Sequence, residues 1–424
     1  MDSTVKKTPL HAWHCDHGAN MADFGGYEMP LWYGGGTREE HMAVLTSAGL
    51  FDTSHMAVIL VDGGGARDLL QECFSKDLDH CIGKDPGPLV PGRAVYGAFL
   101  NEKGHVIDDA LVYKMASDRF MVCVNAGMGG AIAMELERFS DGRLSLITDL
   151  TDSLGKIDIQ GPGAAKILGA VLKDPEAVFD SMPYFSFKGH FDDRAPRAGQ
   201  VKLLDGTPIL LSRTGYTGEF GFELFVIPEK TEAVWTALLN AGKDAGIRPC
   251  GLASRDSLRT GAVLPLSHQD IGGWVFLNHP WDFALPWNAE KTAFTKGFRG
   301  DTALLSPTEV FYTAAFAGFD PRKVPAGEES CVLTEDGEAI GTILTCTTDV
   351  ALGRHQGNIV SSVSGSLPEG AKVRGLSCGF VKLTRALAPG TTVVLTHGKR
   401  KVPVEIVSDI RPGRTARRPI REML

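Results

Sequence analysis

The chain has 424 residues and a formal net charge of −8, so it is long enough for two or three domains, each with its own core. That charge disfavours non-specific nucleic-acid binding over most of the surface. Dispersed cysteines, an opening segment without the apolar stretch of a secretory leader, and no apolar run of bilayer length together point to a soluble cytoplasmic protein with no membrane partner.

The first dense stretch is "HAWHCDH", residues 11–17. His11, His14 and Cys15 stand at i, i+3 and i+4, which puts them on one face of a helix. No second cluster with zinc-ligand spacing follows, so a helix with polar residues on its wet face is expected, and no metal. "MAVILVDG" and "RFMVCVNAG" read as strands, from their β-branched content and terminal turn residues. Between them, "GHVIDDALVYK" sets Asp108 and Asp109 side by side in an apolar strand. Period-two alternation sends the two carboxylates to opposite faces. One faces a core or cleft and needs a partner or a cationic ligand, unless an edge or bulge leaves both wet.

"NAGMGGAIAMELERF" follows a strand and opens a helix, but Ile132 stands where a dinucleotide fingerprint needs Gly or Ala. "YGGGT" and "DGGGAR" are turns without a phosphate-binding lysine, and no G-x-S-x-G elbow is present. "SRTGYTGEFGFELFV" is more informative. Gly215, Gly218 and Gly221 permit tight turns near a ligand, Tyr216 offers a flat face, and Glu223 lies among Phe222, Leu224 and Phe225. A carboxylate in such company can accept two hydrogen bonds from an amidine-like edge. "TEAVWTALLNAGKDAG" is an amphipathic helix with a stripe of Val234, Leu238 and Ala241, widened by Trp235 and Leu239 and ended by Gly242 and Gly246. "GLASRDSLRTG" then supplies Arg255 and Arg259, either for a ligand carboxylate or for the buried acids.

Beyond residue 305 the pattern changes to short strands, "CVLTEDGEAIGTILT", "LSCGFVKL" and "TTVVLTHGKRKVPVEIV", which suggest a small barrel or sandwich. "GRHQGNIVSSVSGSLPEGAK" between them reads as a surface loop. The tail "RPGRTARRPIREML" reads as a solvated or locally paired terminus, or as a patch that meets an anionic ligand or partner.

Taken together, these segments resemble the aminomethyltransferase (T-protein) family of the glycine cleavage system. "TPLHAWHCDHGANMADFGGYEMPLWY", "EEHMAVLTSAGLFDTSHM", "VYGAFLNEKGHVIDDALVYK", "IDIQGPGA", "SRTGYTGEFGFELFV" and "GLASRDSLRTGAVLPL" follow in family order from about residue 8 to 300. The resemblance implies an α+β protein of three domains in a cloverleaf around a central tetrahydrofolate site. The expected division is a first folate-binding α+β region at 1–150, a second at 151–304, and an all-β, barrel-like domain with a basic tail at 305–424. It further implies that Glu223 holds the pterin edge, Tyr216 and Tyr96 flank the folate rings, Met56 lines the pocket, and Arg255 and Trp287 lie near the folate. Asp109 falls at the family's functional carboxylate. Of the opening cluster, only His14 matches a recurring family position, so the cluster is expected to be structural.

The departures fall on the donor side. "LPLSHQDI", Leu264–Ile271, stands where the family commonly has Leu-Pro-Leu-Tyr-Gly-His-Glu-Leu, so Ser267 replaces a tyrosine and His268 comes one position early. Gly261 replaces an acid, and "HPWDFALPW" adds Trp281, Phe283 and Pro286. The expected function is transfer of a one-carbon unit to tetrahydrofolate from an aminomethyl group on a lipoyl carrier. The alternatives are demethylation of a small N-, O- or S-methyl compound, and a non-catalytic folate-binding accessory protein.

Overall fold

The computed structural model describes residues 5–83, 86–363, 365 and 367–424. Residues 1–4 of the opening segment, and Ser364 and Ser366 of the loop expected near 353–372, lie outside the described residues.

The architecture is α+β, with two principal sheets and a closed barrel. The first sheet is antiparallel and five-stranded, in the order Ala94–Leu100, Val106–Ala116, Arg119–Val124, Ala57–Asp62 and Leu146–Asp149. One face is covered by the helices Ala66–Cys73 and Gly129–Arg138, whose Leu69, Leu70, Ile132 and Leu136 pack on Ile59, Val61, Val112 and Val122. The other face carries Val58, Tyr113, Met121 and Cys123 against Phe187, Leu210 and Phe225 of the second sheet. Alternating side chains on Val106–Ala116 therefore serve two cores at once.

The second sheet runs Phe187–Gly189, Leu210–Ser212, Gly221–Val226, Gly155–Gln160, Gly49–Asp52 and Arg248–Pro249. Its central strands are buried on both faces, which is why "GFELFV" reads as a continuous apolar run rather than an alternation. The strand Gly49–Asp52 pairs with Gly155–Gln160. The expected break at residue 150 is therefore not where this sheet divides: its hydrogen bonds join residues from both sides of it. The helix Pro228–Ala241 packs Val234, Trp235 and Leu238 on this sheet with Leu239 partly buried beside them, whereas Ala241 of the expected stripe, at the last turn before Gly242, is exposed.

The barrel is closed in the order Tyr312–Gly318, Leu376–Leu383, Ala339–Asp349, Gly327–Leu333, Thr392–His397 and Arg400–Val407, which returns to the first strand. Closure leaves no unpaired edge. The stretch expected as a surface loop holds a hairpin, Leu352–His355 with Asn358–Ser361, turned at Gln356 and Gly357, both at positive φ. Its Gly and Ser content hides these short strands from a reading by propensity.

The basic tail is not solvated as a whole. Arg411 is fully buried, donating to Asp349 at 2.8 Å and to the Thr217 carbonyl, with Glu219 at 3.3 Å. Asp349 also faces His41 at 3.1 Å. This cluster ties the barrel to the helix Gly36–Thr46 and to the Thr217–Glu219 turn. Arg411→Met removes the cation and leaves buried carboxylates, so urea denaturation should show a loss of about 3–5 kcal/mol. An unchanged midpoint would mean that the tail is dispensable to the fold.

Candidate active site

A cavity of about 1360 Å³ opens where the two sheets, the helix Leu252–Gly261 and the C-terminal tail meet. Pockets for a single drug-sized ligand usually span about 300–1,000 Å³, so this one has room for a large ligand and a small second one. Met56, Tyr96, Asp109, Tyr216, Glu223 and Arg255 all line it. Among the described residues no helix is long and apolar enough to cross a membrane, and no group of His, Cys, Asp and Glu stands close enough to hold a metal.

The strand Val106–Ala116 sends Asp109, half-buried, to the cavity and Asp108, fully buried, to the opposite face. Asp108 is completely buried and accepts from the Asn125 backbone N–H at 2.9 Å and from Ser267 Oγ at 2.9 Å. Asn125 Nδ2 donates to Asp108 Oδ1 at 2.8 Å and to Asp109 Oδ1 at 2.6 Å, so one amide bridges the two acids. Tyr96 donates its hydroxyl to Asp109 Oδ2 at 2.8 Å. Burial, then the charge of Asp108, pushes the Asp109 carboxyl up to about 6 against these hydrogen bonds. It is thus ionised at neutral pH yet close enough to its midpoint to hold a proton.

Across the cavity, Glu223 lies opposite Asp158 in the sheet register. Two facing carboxylates would repel, but Lys156 stands between them, with Nζ 2.7 Å from Asp158 and 2.5 Å from Glu223. Thr214 donates to the other oxygen of Glu223, and Arg255 donates to Asp158 at 2.8 Å. Burial works against ionisation of Asp158, but Lys156 and Arg255 together hold its carboxyl below the usual range. Glu223 is therefore already held by protein donors, and its remaining lone pairs are what a ligand could use. Arg255 is committed to Asp158 and lies 4.9 Å from the Tyr216 ring, while Arg259 pairs with Asp256 and Asp270. These arginines serve the buried acids.

Tyr216 is fixed by its hydroxyl bonding to the Pro265 carbonyl. Met56 sits beside His55, a buried imidazole on the cavity wall whose Nδ1 has no hydrogen-bond partner among the described residues. Burial, helped by Arg255 and Lys156, lowers His55 to about 4, so it stays neutral. Trp287 is a correction: it stands outside the wall, its ring 4.3 Å from Phe294. Phe283, 53% exposed, lines the wall 5.7 Å from Tyr96. Trp281 does not line the cavity either; it is buried against Phe380 and donates to the Val263 carbonyl at 2.8 Å. Sequence reasoning misses Asn125 and Lys156 altogether, and it places Phe283 on the donor side without the contact to Tyr96. Arg414 and Arg417 of the tail reach the rim.

The opening histidines serve the fold. His14 is buried between Asp52 at 3.0 Å and the Tyr33 hydroxyl at 2.8 Å, His11 meets Glu28 at 2.7 Å, and His17 stacks on Trp13.

The fold and cavity define an α+β protein with a closed barrel and a large internal site rimmed by acids and aromatics. A family model described as the GCVT N-terminal domain matches residues 10–288. An aminomethyltransferase of Halothermothrix orenii is 31% identical over 404 residues, covering 95% of this chain and 99% of the relative. One from Streptomyces coelicolor is 39% identical over 272 residues, covering 64% of this chain and 67% of the relative. The solved glycine cleavage system aminomethyltransferase T of Bartonella henselae shares the fold, with a TM-score of 0.74 at 24% identity over 95% of this chain and 97% of its own. The chain belongs to the aminomethyltransferase (GCVT) family.

The acid bridge has a measurable signature in stability. Asp109 binds its proton more tightly in the folded protein, at about 6, than in the unfolded chain, at about 3.9. Its contribution to stability is therefore full at acid pH and is lost as pH rises between those values. Asp109→Asn should stabilise the fold at pH 7–8 by about 1–3 kcal/mol and show no advantage below about pH 4, measured by urea denaturation across pH. A variant less stable at neutral pH would contradict this.

Proposed function

We propose that the chain transfers a one-carbon unit to tetrahydrofolate inside this cavity. The observation that carries the reading is Asp109: a cavity-facing carboxylate held by Tyr96 and Asn125, with no Lys or Arg ion pair among the described residues. Binding alone does not need such a group, whereas a reaction that develops positive charge and releases a proton does. The residues present fit a folate. Glu223, fixed by Lys156 and Thr214, offers a carboxylate to the donor edge of a pterin, Tyr216 and Tyr96 offer aromatic walls, and unpartnered Nδ1 of His55 offers a neutral polar contact. Met56 and Arg255 line the same cavity and complete the surroundings of a bound ring system.

Tetrahydrofolate supplies the nitrogen that accepts the transferred carbon. Asp109 stabilises positive charge on that carbon and takes the proton released as the new bond forms, and Tyr96 and Asn125 keep its oxygens aimed. In the first reading the donor is an aminomethyl group on a lipoyl carrier, whose C–N bond breaks to release ammonia and whose C–S bond breaks to leave the lipoyl thiol. The second reading, a small methylated donor, is favoured by Phe283, whose exposed ring lines the cavity 5.7 Å from Tyr96, the residue that holds Asp109. Aromatic faces next to a carboxylate suit a small cationic donor.

The test is product analysis with tetrahydrofolate and either donor class. Methylene-tetrahydrofolate from the carrier supports the first reading, methyl-tetrahydrofolate from a small donor the second, and no product with either the accessory protein. Asp109→Asn should keep folate affinity and lose about a hundred- to a thousand-fold in turnover. Equal turnover would sink the role given to Asp109.

A further inference from the structure

We propose that His268 is a positioning residue that controls Asp109 electrostatically from behind its strand, acting through Asp108. The inference rests on the role given to Asp109 above, but it comes from a different part of the molecule. The turn Leu264–Ile271 delivers two side chains to the buried face of the strand Val106–Ala116. Ser267 Oγ donates to Asp108 Oδ1 at 2.9 Å, and His268 Nε2 lies 3.5 Å from the same oxygen. Asp270, bonded to the Leu266 N–H at 2.9 Å, Thr345 at 2.6 Å and Arg259, pins the turn to the barrel.

Two features show that the imidazole is not there for packing. His268 has φ +64°, a left-handed backbone that L-residues disfavour and glycine adopts freely. Its side chain is also 50% exposed, so it fills no core. What it does is meet a carboxylate. No Lys or Arg forms an ion pair with Asp108 or Asp109 among the described residues, and His268 is the group facing them that can carry positive charge at neutral pH.

The charged groups that face His268 are Asp108 and, farther off, Asp109, both on that strand; Asp270 on its own turn is engaged with Arg259. The Asp108 carboxylate 3.5 Å away raises His268 above its ordinary value, which favours its cationic form where Asp109 titrates. Asn125 shares one amide between the two acids, which keeps the charge of Asp108 within range of Asp109. Cancelling that charge makes Asp109 easier to ionise.

His268→Gly removes the imidazole at a backbone position that glycine favours, and that relief offsets part of the cost of losing the contact to Asp108, so the variant should fold. The readout is the titration midpoint of Asp109 by carbon NMR of protein labelled at the aspartate carboxyls, with the resonance assigned by its absence in Asp109→Asn. Wild type should titrate near 6, and His268→Gly should hold the Asp109 proton about tenfold more tightly, moving the midpoint upward. An unmoved midpoint, or a wild-type Asp109 in the ordinary carboxylate range, would overturn the proposal. The titration needs no folate and no donor, so failure of the one-carbon reading would show separately, as absent tetrahydrofolate binding in a protein whose Asp109 still responds to His268.

Discussion

A carboxylate taken out of water loses several kilocalories per mole of hydration unless donors or cations replace it, and this cavity is built from carboxylates that have lost theirs. Asp108 and Asp158 are completely buried, Glu223 almost so, and Asp109 faces the cavity. Each wall meets the cost in its own way. Behind Glu223 and Asp158 the answer is cationic, through Lys156 and Arg255. Behind Asp109 it is a set of neutral donors, Tyr96 and Asn125, with only a histidine at the rear.

That asymmetry divides the labour of the site. The wall with compensated charge is stiff and close to neutral, which suits recognition of a polar ring edge without a permanent field. The wall with uncompensated charge keeps an acid near its midpoint, where it can stabilise a cation or hold a proton. Both depend on the packing of the two sheets through Tyr113, Phe187 and Phe225, which sets one acid wall across from the other. Arg411, buried with Asp349 and Glu219, joins the barrel and the tail to this frame and brings Arg414 and Arg417 to the rim.

Much of this is legible in the chain itself. Asp109 and Glu223 announce themselves as acids in apolar strands, and period-two alternation correctly separates Asp108 from Asp109. Their partners are not legible, because they come from elsewhere. Asn125 follows the end of the neighbouring strand, and Lys156 lies 67 residues before Glu223, where it looks like any strand lysine. Trp287 is not on the wall but packs on Phe294, while Phe283 of the same segment lines it beside Tyr96. The hairpin at 352–361 reads as loop because Gly and Ser are frequent in a segment whose strands are too short to show a period. The helix at 11–16 forms as expected, but His14 is buried rather than on a wet face, because Asp52 and the Tyr33 hydroxyl take up its ring nitrogens.

The central claim is that the Glu223 wall binds tetrahydrofolate, and calorimetric titration of tetrahydrofolate into wild type and Glu223→Gln tests it most directly. The amide can turn its oxygen to Lys156, which stays paired with Asp158, and donate its N–H to the Thr214 hydroxyl, so the fold should survive the change. Saturable binding to wild type that weakens at least tenfold in the variant, about 1.4 kcal/mol, is the predicted result. Undiminished binding in the variant would move the folate elsewhere, and no binding to wild type would contradict the account of the cavity as a one-carbon transfer site.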